Sequence, residues 1–172
     1  WEAFCLVVAF SGLGIRMLTV GYTPRRTSGR NTRRQMADTL NTTGMYSLVR
    51  NPLYAGNFFM GLGIALFAQL WWLTLIYVLL FWLYYERIIF AEESYLRNKF
   101  GNKYTEWANV TPAIVPALRN YRKPPLPFSW RKVLRTEYNG FFLITASLFL
   151  LEVLGDLVTR AEVACDVGAA QR

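Results

Sequence analysis

The chain of 172 residues is 53% hydrophobic and 16% aromatic, and only 17% of its residues are charged. This composition is more apolar than that of an ordinary soluble domain and predicts an integral membrane protein. The net charge of +8 would suit nucleic acid, but no polar domain presents the basic residues, so we expect no nucleic-acid partner. With no histidine and two isolated cysteines, the sequence also predicts no metal site.

Four apolar segments approach the length of about 20 residues that a helix needs to cross a membrane. The expected spans are 1–22, 53–69, 71–91 and 138–159, and the second and third form a tight helical hairpin, 53–91. The predicted fold is therefore all-α, a single membrane domain with about four transmembrane helices. Because the chain opens at Trp1 in apolar sequence without an initiator Met, four spans is a minimum count and an additional N-terminal helix is allowed for.

The basic residues predict the orientation of these spans. Of the 19 Lys and Arg residues, six lie in the loop 23–52, nine lie in the segment 92–137, and none lies at the hairpin tip. Basic loops are typical of the cytoplasmic side. The loop and the segment are therefore expected there, and the polar tail 160–172 is expected on the opposite side and poorly ordered. Cys5 and Cys165 lie toward that opposite side, and we expect two free thiols.

The loop 23–52 is rich in Arg, Thr and Asn and has few large apolar residues. One interpretation is a solvated linker that only sets the membrane orientation. The other is a surface that binds an anionic lipid headgroup, with Arg26, Ser28, Arg30 and Asn31 as the candidate contacts. The sequence leaves both open.

The polar stretch Gly44 to Gly56 directly precedes and enters the second span. Proline suits the first turn of a helix, so the helix is expected to begin near Pro52. Its unpaired N–H groups and the adjacent Arg50 favour an anion site. The alternative is a capped helix start at which Arg50 reaches up to lipid headgroups.

Charged residues continue along the third span toward its basic end. Glu93 and Arg97 are four residues apart, so an ordinary surface ion pair is one expectation. Glu86 and Arg87 lie within an apolar run, where ionisable groups usually face a cavity or a partner. Gly101 is expected to follow the last turn of the helix.

These two polar blocks resemble the integral-membrane methyltransferases of the isoprenylcysteine carboxyl methyltransferase and phospholipid methyltransferase group. The family pattern G-x-Y-x-x-x-R-H-P-x-Y-x-G is matched by Gly44 to Gly56, and E-E-x-x-L-x-x-x-F-G-x-x-Y by Glu92 to Tyr104. The resemblance covers roughly residues 40–116 and ends at Val115-Pro116. In one departure, Asn51 stands where the family commonly has histidine, and an amide still donates and accepts hydrogen bonds.

The resemblance implies an S-adenosylmethionine site at the cytoplasmic face of the membrane and a lipid or prenyl-lipid as methyl acceptor. Its implied cofactor-binding residues are Gly44, Tyr46, Arg50, Asn51, Pro52, Tyr54, Gly56, Glu92, Glu93 and Tyr104. Its implied catalytic residues are Arg87 and Glu93, and the candidate substrate-binding residues are Arg26, Arg30 and Arg87. Methylation of a carboxylate or phosphate oxygen is favoured, and N-methylation of a phospholipid amine stays open.

Two other functions remain compatible with the sequence. A membrane reductase of the steroid-reductase type has similar motifs but binds NADPH. A scaffold that keeps the fold without activity is the other, with Asn51 as its only hint. The sequence does not determine the oligomeric state.

Overall fold

The computed structural model describes the backbone of residues 1–24 and 38–170 and the side chains of those up to residue 160. These residues form six α-helices and one short 3-10 helix, with no strand among them. The helices are α1 (Glu2–Tyr22), α2 (Met45–Leu48), α3 (Pro52–Phe67), α4 (Trp71–Phe100), α5 (Asn102–Val110) and α6 (Trp130–Ala170), and the 3-10 helix is Leu118–Asn120. The expected all-α fold is confirmed.

Three of the described helices, α1, α4 and α6, are long and apolar enough to cross a membrane. The fourth expected span corresponds to α3, which is apolar but has only 16 residues. Helix α3 begins at Pro52 as expected, and Gly101 follows the last residue of α4 with a φ of 54°. At the hairpin tip, Gln69 adopts a φ of 55° between α3 and α4.

Helix α6 differs from the expectation at both ends. It begins at Trp130 rather than Tyr138, and its backbone continues beyond the expected span to Ala170. Both extensions lack proline and contain several good helix formers, so the helix has no reason to stop. The earlier start brings Glu137 into the helix. Cys5 is a buried free thiol, whereas the side chain of Cys165 lies outside the described part.

Helices α1 and α3 lie close together because glycines line their contact. A Cβ atom on Gly12 would lie 2.5 Å from the carbonyl oxygen of Gly56, and one on Gly63 would lie 2.5 Å from the backbone nitrogen of Ala9. Small residues allow helix backbones to approach in this way. The apolar core lies between α1, α3 and α6 and consists of Ala9, Leu13, Met60, Ile144 and Leu148.

Gly12→Ala is expected to lower the free energy of unfolding by about 1–3 kcal/mol, because the added methyl group overpacks this contact. Gly14→Ala is the matched control, since no other side chain or distant backbone lies within 4 Å of its Cβ position. Thermal unfolding in detergent, followed by circular dichroism, compares the two. Equal Tm values would contradict the close packing of α1 on α3.

Helix α4 contacts α3 through aromatic side chains. Phe81 stacks on Tyr85 with ring centroids 4.1 Å apart and meets Phe58 of α3 at 5.1 Å. Tyr77 donates a hydrogen bond to the carbonyl oxygen of Phe58 at 2.9 Å. A Cβ atom on Gly61 would overlap the Tyr77 ring, so this glycine makes room for it. These contacts hold the polar end of α4 beside the start of α3.

At that end of the bundle, two loop segments are joined by backbone hydrogen bonds. The amide of Gly44 donates to the carbonyl of Arg122 at 2.8 Å, and the amide of Arg50 donates to that of Pro112 at 2.9 Å. The amide of Ala117 donates to the carbonyl of Leu48 at 2.9 Å. The segment before α3 is therefore fixed against the segment that follows α5.

Candidate active site

The two polar blocks meet at an ion pair between the start of α3 and the end of α4. Nε of Arg50 lies 3.3 Å from Oε1 of Glu93, and both side chains are less than 20% exposed. The Asn51 amide donates to the same carboxylate oxygen at 3.1 Å. Consecutive residues before α3 thus place a cation and an amide on one carboxylate. We call Arg50, Asn51 and Glu93 the charged cluster.

The neighbouring carboxylate has a different partner. The Tyr54 hydroxyl donates to Oε2 of Glu92 at 2.6 Å, and the Tyr54 ring lies 5.0 Å from the ring of Tyr85. Tyr54 lies in the first turn of α3 and Arg50 just before that helix, and their partners Glu92 and Glu93 are adjacent on α4. The acidic pair of α4 is therefore held at two points by the beginning of α3.

Helix α5 covers this cluster with aromatic side chains. Tyr104 is fully buried, and the Trp107 indole N–H donates to the carbonyl of Tyr46 at 3.1 Å. Arg97 lies over the Tyr104 ring at 5.9 Å. The ion pair expected between Glu93 and Arg97 is thus replaced by pairing of Glu93 with Arg50. Burial, with the nearby Glu93 charge, raises the pKa of Tyr104 to about 12.

Two polar atoms of this site are buried without a hydrogen-bond partner among the described residues. They are Nε of Arg50, whose approach to Glu93 lacks hydrogen-bond geometry, and the hydroxyl of Tyr104. Buried polar groups are nearly always paired, and an unpaired one costs about 1–3 kcal/mol. Both atoms lie near the Glu93 carboxylate without forming a well-aligned hydrogen bond to it, so the polar groups of this site are incompletely satisfied by the described residues.

A cavity of about 220 Å³ lies beside Tyr46, at the end of the bundle that carries the charged cluster. Its walls come from the end of α1 and the residues after it, from α2 and the segment before it, and from the proline-rich segment before α6. They are Thr19, Tyr22, Thr23, Pro24, Thr39, Leu40, Asn41, Thr42, Thr43, Met45, Tyr46, Pro125 and Leu126. Burial, with the nearby Glu92 charge, raises the pKa of Tyr46 well above its usual value.

Three of the predicted cofactor-binding residues have roles in the backbone. Gly44 adopts a φ of 61°, a left-handed conformation that favours glycine, and its amide is bound to the carbonyl of Arg122. Pro52 is buried in the first turn of α3. A Cβ atom on Gly56 would lie 2.5 Å from Cγ of Arg16, so Gly56 lets that side chain pass.

The predicted catalytic and substrate-binding residues are not all brought together. Glu93 is in the charged cluster, but Arg87 and Glu86 are exposed on α4. Arg87 follows Tyr85 by two residues, which places it about 200° around the helix from the face that contacts α3. Its catalytic role stays a prediction. Arg26 and Arg30 lie outside the described residues.

A second polar group, formed by Arg16, Asn57 and Glu137, was not predicted from the sequence. Arg16 binds Glu137 through Nε at 2.7 Å and through Nη2 at 2.9 Å. Its Nη1 donates to Oδ1 of Asn57 at 2.6 Å. A charged residue within an apolar span is itself a signal of a buried partner. Arg16 lies within the apolar span 1–22 and so carries the same signal as Glu86 and Arg87 in the third span.

Several known proteins are similar to this chain over part of its length. A family model described as phospholipid methyltransferase matches residues 6–103. The chain is 34% identical over 119 residues to the cobalt-zinc-cadmium resistance protein CzcN of Cupriavidus metallidurans, an alignment covering 68% of the chain and 52% of the relative. It is 33% identical over 79 residues to the protein-S-isoprenylcysteine O-methyltransferase of Schizosaccharomyces pombe, covering 46% and 34%. It is 28% identical over 116 residues to the protein-S-isoprenylcysteine O-methyltransferase B of Arabidopsis thaliana, an alignment covering 62% of the chain and 59% of the relative.

The chain spans about half the length of the curated relatives that it matches, and no solved structure matches it. The family match includes α1, the hairpin of α3 and α4, and the whole charged cluster. Because it extends over more than half of the chain, from residue 6 to residue 103, the protein belongs to the phospholipid methyltransferase family.

Proposed function

We propose that this protein is an S-adenosylmethionine-dependent methyltransferase whose acceptor is a membrane lipid or prenyl-lipid. The observation that carries the proposal is the charged cluster, in which Arg50, Asn51 and Glu93 meet in a largely buried site and Nε of Arg50 has no well-aligned hydrogen bond among the described residues. Membership of the phospholipid methyltransferase family supports it.

The residues of the site fit the polar end of this cofactor. S-adenosylmethionine carries a carboxylate and an ammonium group on its methionine portion, and both need partners of opposite charge in a buried site. Arg50 supplies a cation for the carboxylate, and Glu92 and Glu93 supply acceptors for the ammonium group. The adjoining rings of Tyr54 and Tyr85 suit the positive sulfonium, because aromatic faces attract cations.

Held by Arg50 at its carboxylate and by Glu92 and Glu93 at its ammonium group, the cofactor would supply an electrophilic methyl group for the acceptor oxygen and would leave as S-adenosylhomocysteine. The protein contributes alignment and exclusion of water. Carboxylates and phosphates are already ionised near pH 7, so an oxygen acceptor needs no general base. The relatives named O-methyltransferases favour such an acceptor. An amine acceptor would have to lose a proton, for which Glu93 is the candidate base.

The same proposal places the active site at the cytoplasmic face. The charged cluster lies at the end of the bundle that carries the basic segments, and basic loops favour the cytoplasm. The cofactor would then enter from water and the acceptor from the lipid bilayer. The partners proposed for the chain are therefore a membrane lipid substrate and the bilayer, with neither nucleic acid nor a metal ion.

Isothermal titration of the detergent-purified protein with S-adenosylhomocysteine and, separately, with NADPH tests this proposal. We expect saturable binding of S-adenosylhomocysteine alone, because the charged cluster matches its amino-acid end. Binding of NADPH alone would assign the protein to the membrane reductases. Binding of neither would favour the scaffold interpretation, and either result would overturn the proposal. A screen of lipid acceptors with a labelled methyl donor follows a positive result.

A further inference from the structure

A chain of polar contacts joins four helices behind the candidate active site. Arg16 of α1 binds Glu137 of α6 through two nitrogens and Asn57 of α3 through the third. The Asn57 amide nitrogen then donates to the hydroxyl of Tyr85 on α4 at 3.1 Å. Only 4% of the Glu137 side chain is exposed and 17% of the Arg16 side chain. The Arg16–Glu137 pair joins α1 to α6, whereas the contacts of the charged cluster lie between the start of α3 and α4.

Each contact in this chain restricts the next one. Arg16 uses its two edges on different partners, so the plane of its guanidinium group is fixed. Since Oδ1 of Asn57 accepts from Arg16, the amide nitrogen on the other side of the same group is directed toward Tyr85. The bonds to Arg16 and to Tyr85 thus determine one orientation of the Asn57 amide.

This series of polar contacts ends at the candidate active site. Tyr85 packs against Tyr54 with ring centroids 5.0 Å apart, and Tyr54 donates to Glu92 at 2.6 Å. Fixing the Tyr85 hydroxyl therefore fixes the ring against which Tyr54 rests. Gly56, next to Asn57, leaves the space through which Arg16 passes. Gly56, which belongs to the first motif, therefore makes room for the ion pair of Arg16 and Glu137, which lies outside both motifs.

Stability alone does not account for a buried ion pair in this place. Apolar residues of similar volume usually stabilise a protein at least as well as a buried pair, because removing two charges from water is costly. A charge pair does, however, impose direction on its neighbours, which apolar side chains do not. The direction imposed here passes through Asn57 to Tyr85.

We propose that Arg16 and Glu137 are positioning residues of the methyltransferase site. Through Asn57 and Tyr85 they hold Tyr54 and Glu92 in the geometry that receives the cofactor. This inference rests on the proposed function. It adds α1 and α6 to a site whose recognised motifs lie only between residues 44 and 104.

The test is the affinity for S-adenosylhomocysteine, measured by isothermal titration, of Tyr85→Phe, Arg16→Gln and the double variant. Tyr85→Phe keeps the ring that packs on Tyr54 and removes only the oxygen that accepts from Asn57. We expect each single variant to weaken binding about tenfold, as loss of one well-oriented contact does. The double variant is expected to have the same affinity as the single variant that binds less tightly, because both changes break the same series of contacts.

Matched controls are Tyr84→Phe, which removes an exposed hydroxyl from the adjacent residue, and Arg135→Gln, which removes an exposed charge from α6. If Arg16 and Tyr85 only stabilised the fold, their substitution would lower the Tm and leave the affinity of the folded protein unchanged. Unchanged affinity in Tyr85→Phe would overturn the inference without relying on Arg16→Gln, and so would fully additive losses in the double variant. Failure of the unaltered protein to bind S-adenosylhomocysteine would instead overturn the proposed function, and the inference with it.

Discussion

Glu93→Ala is expected to abolish the binding of S-adenosylhomocysteine to a protein that still folds. The Glu93 carboxylate is held by both Arg50 and Asn51, so its loss removes the acceptor for the ligand's ammonium group and also releases two neighbours. Loss of a charged hydrogen bond costs about 1.5–3 kcal/mol. Together with the disordering of Arg50, we expect affinity to fall about a hundredfold or more.

Isothermal titration measures this loss, and circular dichroism with thermal unfolding establishes that the variant is folded. Glu106→Ala is the control, because it removes an exposed carboxylate from α5 close in sequence to Tyr104. Arg50→Ala is expected to lose binding in the same way, since it removes the cation for the ligand's carboxylate. Unchanged affinity in both Glu93→Ala and Arg50→Ala would refute the assignment of the charged cluster.

Glu137→Ala is expected to give the largest loss of stability of any single substitution considered in this chain. It leaves the Arg16 guanidinium buried without its carboxylate, and breaking a buried pair in this way costs about 3–5 kcal/mol. Replacing both partners, as in Arg16→Met with Glu137→Leu, removes the unpaired charge. The double variant is therefore expected to be more stable than Glu137→Ala, although it loses two charged groups.

Unfolding in detergent, followed by circular dichroism, ranks these variants. Glu152→Ala is the control, because it removes an exposed carboxylate from the same helix. A Glu137→Ala protein as stable as the control would show that the ion pair contributes nothing to packing of α6 on α1. A double variant less stable than Glu137→Ala would show that Arg16 stabilises the protein even when its Glu137 partner is absent.

The membrane helices, and the helix ends that carry the site, follow from local sequence. Runs of apolar residues near the length of a membrane span predicted α1, α4 and most of α6, because only internal hydrogen bonds satisfy a backbone in lipid. Pro52 begins α3 and Gly101 ends α4 for reasons confined to one or two residues. Arg50 was named from its place beside the start of α3, and Asn51 and Glu93 from the resemblance to the methyltransferase family. Both motifs were expected on the same side of the membrane, at the two ends of the hairpin 53–91.

Tertiary structure decided which charged groups pair. Glu93 has Arg97 four residues away, but the fold brings Arg50 to it instead, and Arg97 lies over Tyr104. Arg16 and Glu137 are 121 positions apart, so no local pattern connects them. Such a pair forms only where glycines let α1 and α3 approach and α6 packs across both. Sequence determined where the helices and polar groups lie along the chain; burial, which leaves each charge only the partners within reach, decided their contacts.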